Sequence, residues 1–171
     1  MADLTQSVTR FADALTPVLV GLAKPPADAA KLRNDAVLEA FSLACGFLAA
    51  DGRQSDDELW ELVSAFGPHL DTQLGGATPA EVRRSGIVER LASKVDQPTP
   101  MFELLVDVDR RDATRHDSTY YDDALEVAFS VAAADVHTSA DELAAIESFR
   151  GRLLARMNGT ASSPQPATAG G

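Results

Sequence analysis

One internal repeat constrains this chain more than any other feature. Residues 37–66 and 121–150 align without a gap, and ten of the thirty paired positions are identical. The identities are Ala40/Ala124, Ala44/Ala128, Ala49/Ala133, Ala50/Ala134, Asp51/Asp135, Ser55/Ser139, Asp57/Asp141, Glu58/Glu142, Leu59/Leu143 and Ser64/Ser148. Each copy reads as an apolar helix, an Ala-Ala-Asp exit, a short loop and a second helix opened by Ser-x-Asp-Glu-Leu. A unit of this kind has one apolar stripe per helix and nothing of its own to bury it against, so the two copies are expected to pack on each other.

The spacing predicts which faces turn inward. In the first helix of copy one, Val37, Phe41, Ala44, Cys45 and Leu48 recur at helical spacing; their partners are Tyr121, Leu125, Ala128, Phe129 and Ala132. The expected arrangement is all-α, about seven helices, with the two hairpins packed face to face about an approximate two-fold axis. Ala40, Ala44 and Cys45 then meet Ala124, Ala128 and Phe129 near the centre. The second helix of each copy opens on a capping box, Ser55 with Glu58 and Ser139 with Glu142: the hydroxyl accepts the glutamate's amide and the carboxylate reaches back to the serine amide. Thr78 and Glu81, with Pro79 at the first helical position, form a third box. Gly52 suits a left-handed helix exit, whereas Val136 stands at the matching position of copy two.

A loop that begins with Asp51 or Asp135 and ends with Glu58 or Glu142 invites a cation reading. The spacing is shorter than an EF-hand loop requires, and Arg53 and His137 stand where oxygen ligands belong. Capping accounts for the serines and glutamates, so structure is the reading adopted and a divalent ion the alternative. The charge-dense run from Asp107 to Asp117 reads as a solvated helix end, its carboxylates offset by Arg110, Arg111 and Arg115, with Asp117-Ser118 expected to cap the helix that follows.

Around the repeat, residues 3–23 form an apolar helix (Phe11, Leu15, Val18, Leu19, Leu22) that Pro17 should kink or divide. It is read as a core helix, with a detachable partner-binding helix as the alternative. Lys24-Pro25-Pro26 breaks it. The chain therefore divides into an N-terminal helix and break (1–27), a helical domain (28–158) and a tail (159–171). Residues 160–171 carry no charge and no large apolar side chain, which is linker composition.

The formal net charge of −11 disfavours nucleic acid and anionic membrane. No apolar run reaches membrane-spanning length and no secretory signal is evident, so the expected compartment is the cytoplasm. The single cysteine, Cys45, cannot form an internal disulfide and lies on an apolar face, which favours a buried thiol over a nucleophile. His69, His116 and His137 have no zinc spacing, and neither a phosphate loop nor a G-x-S-x-G elbow occurs. The chain is therefore expected not to be an enzyme and to need no cofactor.

At Ala-Ala-Asp-Gly-Arg-x-Ser-Asp-x-Glu and Ala-Ala-Asp-x-x-x-Ser-x-Asp-Glu, mainly within residues 35–66 and 119–155, the chain resembles the TerB-like family of helical domains, named for tellurite-resistance protein B. The resemblance implies an all-α fold with two similar hairpins. It also implies either an interaction module attached to other machinery or a stress-response protein binding metal through Asp51, Glu58, Asp135 and Glu142. The long insert from Gly67 to Asp117, with Arg53 and His137, departs from the metal-binding pattern. Residues 32–154 also resemble the N-terminal helical region of some actinobacterial AAA+ ATPases, at Asp51-Gly52-Arg53-Gln54, Phe66-Gly67-Pro68, Arg84-Ser85-Gly86-Ile87-Val88 and Asp135-Val136-His137. That likeness implies a non-catalytic adaptor whose protein partner is an AAA+ ATPase domain, with the motor beginning beyond the tail.

Overall fold

The computed structural model describes residues 3–50, 52–134 and 139–159, leaving out the side chains at 72 and 73. The expected tail, residues 160–171, lies outside them. The elements are α1 (Leu4–Leu22), α2 (Ala29–Leu48), α3 (Asp56–Phe66), α4 (Asp71–Leu74), α5 (Pro79–Ser85), α6 (Ile87–Leu91), a 3-10 turn (Ala92–Val95), α7 (Pro100–Asp112), α8 (His116–Ala132) and α9 (Ala140–Met157). Apart from the short α4 and α6, seven helices carry the fold, and no strand occurs among the described residues. No described helix is long and apolar enough to cross a membrane.

The repeat forms two helical hairpins, α2–α3 and α8–α9. α1, α2 and α8 pack on one another at the centre. α1 begins at Asp3, whose carboxylate accepts the Gln6 amide at 2.7 Å, and it buries Leu4, Val8, Phe11, Ala12, Leu15 and Leu19 in the same core as the repeat. Pro17 does not divide the helix. Both it and Asp13, the residue whose carbonyl loses its helical donor, are exposed, so water can replace the missing bond.

α2 is enclosed on nearly every side. α1, α6, the 3-10 turn, α8, α3 and α9 all lie against it, and its second half from Leu43 to Leu48 is buried throughout. Gly46 permits this closeness: a Cβ there would come within 2.6 Å of Val95 in the 3-10 turn. Cys45 is fully buried, and burial, with Glu89 beside it, pushes its thiol far above the usual range.

α8 does not present the expected face. The residues it buries are Tyr120, Asp123, Ala124, Val127, Ala128, Ser130, Val131 and Ala132; Ala128 and Ala132 are buried as expected, but Tyr121 and Leu125 are only partly so and Phe129 stands 46% exposed, a stripe rotated by about one residue. Phe129 does not meet Cys45 at the centre. The Tyr120 ring is what orients the helix. It packs edge-on against Phe11 at 5.3 Å and tilted against Phe102 at 5.1 Å, while its hydroxyl donates to Glu39 Oε1 at 2.6 Å and lies 3.0 Å from Thr99 Oγ1. Ser130 meets Ser7 of α1 at 2.8 Å, which fixes the same rotation one end further on. α2 and α8 do pack directly, but they have different surroundings.

The start of α8 is a second correction. Its N-cap residue is Arg115, which makes no side-chain cap bond, and Asp117-Ser118 lies inside the helix. Asp109, near the end of α7, takes the capping role by accepting the Asp117 amide at 2.6 Å and the Thr114 hydroxyl. Burial opposes its charge, yet the bonds from Asp117, Thr114 and His116 outweigh that and hold its carboxyl below the usual range. Asp117, partly desolvated and facing that carboxylate, is pushed up. Part of the charged run is therefore structural: Asp109 is buried, and Arg156 of α9 reaches Asp107 at 2.9 Å and Glu103.

Candidate functional site

The two loops nominated for a cation are built as helix caps wherever they are described. Ser55 N donates to Glu58 Oε2 at 2.6 Å and Glu58 N donates to Ser55 Oγ at 3.2 Å; in copy two the Ser139 and Glu142 distances are 2.7 and 3.1 Å. Glu58 and Glu142 are 5% and 3% exposed. Each carboxylate is turned back onto its own helix terminus, where the amide and the helix dipole favour its charge. Thr78 and Glu81 form the third box at 2.8 and 3.4 Å. Hydrogen bonds from both the Thr78 amide and hydroxyl hold the Glu81 carboxyl below its usual range.

Asp51 and Asp135, the other two candidate ligands, lie outside the described residues, as does His137. Among the described residues no group of three or more His, Cys, Asp or Glu side chains is placed to hold a metal ion. Loop one is instead fastened to the insert: Arg83 of α5 donates to the Gln54 carbonyl at 2.6 Å and pairs with Asp56 at 2.6 Å, while Gln54 Nε2 donates to Glu89 Oε1 at 2.9 Å. A guanidinium already stands beside the nearest loop carboxylate. Replacing Ser55 or Ser139 with alanine is therefore expected to cost about 1 kcal/mol each in urea unfolding. Either variant that kept wild-type stability while losing tight calcium binding would contradict the capping role.

What separates the two hairpins is how they are covered. Cys45 and Leu59 are each 0% exposed; their repeat partners Phe129 and Leu143 are each 46% exposed. In copy one, α6 lies on α2 with Glu89 beside Cys45, and α5 lies on α3. The insert between the copies thus roofs the first hairpin. In the second, α7 of the same insert packs on α8 and reaches Arg156 of α9, but it leaves Phe129 and Leu143 exposed.

Phe129 sits in the last turn of α8 and Leu143 in the first turns of α9, so both lie at the loop end of the hairpin. Phe129 shares a face with Leu125, Asp122 and Glu126, and Leu143 with Ala140 and Glu147. Glu126 pairs with Arg10 and Glu147 with Arg150. The arrangement is two apolar side chains among surface carboxylates, suited to contact rather than to catalysis. Sequence reasoning missed it because Phe129 was assigned to the core. The flanking Asp122 and Glu126 were the available signal, weakened by Asp123, which lies on the buried side with Tyr120, Ala124, Val127, Ala128 and Val131.

Comparison with protein-family models, curated proteins and solved structures finds no match to this chain.

Proposed function

We propose that this chain is a non-catalytic helical interaction module, an adaptor of an AAA+-type ATPase system, and that the loop end of the α8–α9 hairpin is its contact face. The observation that carries this reading is the exposure of Phe129 and Leu143 at positions where the first copy buries Cys45 and Leu59 completely. Fully burying a side chain of this size stabilises by about 1.5–3 kcal/mol, so a partner covering both gains a useful share of its binding energy there. The fitting partner element is a helix with apolar side chains flanked by Lys or Arg, because the apolar pair is set among Asp122, Glu126 and Glu147. The resemblance of residues 32–154 to the N-terminal regions of AAA+ ATPases suggests the class of protein that bears that helix.

The alternative, a metal-binding stress protein of the tellurite-resistance kind, needs Glu58 and Glu142 as ligands, and both are engaged in caps. Isothermal titration of the chain against the motor domain of an AAA+ ATPase from the same organism separates the two. Phe129→Ser and Leu143→Ser are each expected to weaken binding by about tenfold or more, 1.4 kcal/mol per decade, with urea unfolding unchanged. An adaptor role is lost if the motor does not bind, and this contact face is lost if neither substitution weakens the complex.

A further inference from the structure

A pocket of about 410 Å³ opens where the end of α2, the 3-10 turn and the middle of α9 converge. Much of its wall is free of bulk: Gly46 from α2, Ala49 and Ala50 just past its end, Ala92 from the turn, Ala145 from α9. Such walls leave a ligand close to the backbone, and the volume is in the range of small-molecule sites.

One charged group from α9 and one from beyond the 3-10 turn line this space. Arg152 reaches in from α9, half-buried. Its Nη1 donates to Ser148 Oγ at 2.6 Å and its Nη2 to the Val95 carbonyl. Its Nε–H is buried and has no acceptor. Among the described residues no carboxylate lies within ion-pair distance of it. A half-buried guanidinium held by neutral oxygens, with a further N–H on each of Nη1 and Nη2, lacks the anion that normally accompanies it; the enclosed Nε–H is out of a ligand's reach. The rest of the pocket has the opposite polarity. Asp96 lines it without pairing to Arg152, and Ala49 and Ala50 bring in the carbonyl end of α2, where the helix dipole is negative. A phosphate dianion suits the guanidinium and is repelled by these groups. A molecule with one carboxylate and one ammonium suits both.

We propose that this pocket binds a small zwitterion of the α-amino acid class, its carboxylate on the Arg152 guanidinium and its ammonium toward Asp96 and the α2 carbonyl end. The inference is independent of the contact face at Phe129 and Leu143.

The test uses the whole chain, ¹⁵N-labelled, titrated separately with L-alanine, acetate and inorganic phosphate. Alanine is expected to shift the amides of Ala49, Ser93 and Ala145 saturably with a Kd of about 1 mM or tighter. Arg152→Gln abolishes the response to alanine and acetate. Asp96→Asn weakens alanine by about tenfold and leaves acetate unchanged, because acetate has no ammonium. Ser93→Trp, at an exposed rim position, blocks the pocket without entering the core and abolishes all binding, which keeps the test decisive should Arg152→Gln unfold the chain. No saturable response to alanine, alanine binding that survives both Arg152→Gln and Ser93→Trp, or phosphate binding tighter than alanine overturns the proposal.

Discussion

Replacing Tyr120 with alanine is expected to destabilise the domain by about 3–5 kcal/mol, the usual cost of truncating a fully buried aromatic ring. The ring is 0% exposed, lies between Phe11 of α1 and Phe102 of α7, and its hydroxyl joins Glu39 of α2 to Thr99, which in turn accepts the Phe102 amide at 3.2 Å as the N-cap of α7. One side chain thus ties four helices together. The loss is a large part of a typical domain stability of about 5–15 kcal/mol, and at roughly 2–4 °C per kcal/mol it should lower the melting temperature by about 6–20 °C. Tyr120→Phe separates the two contributions. It keeps the ring and removes the hydroxyl, which leaves the Glu39 carboxylate and Thr99 short of a partner at a cost of about 1–3 kcal/mol. Urea unfolding of both variants is the measurement. If Tyr120→Ala were no worse than Tyr120→Phe, the ring would not be what orients α8, and the account of its rotation would fail.

Phe149→Ala should cost about the same, roughly 3–5 kcal/mol, whereas Phe129→Ala should stay within about 0.5 kcal/mol, as for an ordinary surface change. The two phenylalanines stand at repeat positions matched by Ala65 and Cys45, and from the repeat alone both read as core. Phe149 is 0% exposed and packs edge-on against Phe47 of α2, centroids 5.3 Å apart at 83°, a geometry that adds roughly 0.5–1.5 kcal/mol beyond burial. Because that contact joins α9 of the second hairpin to α2 of the first, Phe149→Ala should lower hydrogen-exchange protection in both hairpins together. A Phe129→Ala variant as unstable as Phe149→Ala would mean that Phe129 is packed against something, and the exposed contact face would have to be abandoned.

The contrast between these two residues marks the limit of what could be read in advance. The three capping boxes were legible because a cap is local: Ser55 and Glu58, Thr78 and Glu81, and Ser139 and Glu142 lie on one helical turn each, and the amides they serve are their own. Helix existence was legible for the same reason, since apolar period and Pro or Gly stops act over a few residues; Gly159 takes a left-handed φ of 70° just past the end of α9 at Met157. Failure came where the deciding group is distant in sequence. Asp109 serves the start of α8 from the preceding helix by accepting the Asp117 amide, while Asp117 itself accepts from Ser118 next to it. That Arg152 meets only neutral oxygens among the described residues has no local signal, since it depends on which side chains other segments bring near it.

The repeat determined that two like hairpins form, through period, caps and exits written within each copy. It could not determine which side of each helix would be buried, because burial belongs to the neighbours and not to the helix. The insert between the copies folds onto α2 and α3 and covers Cys45 and Leu59, while Tyr120 and Ser130 rotate α8 toward α7 and α1 and leave Phe129 in water. Two copies of nearly the same stripe thus end in different environments, since side chains pack against whatever the rest of the chain places beside them.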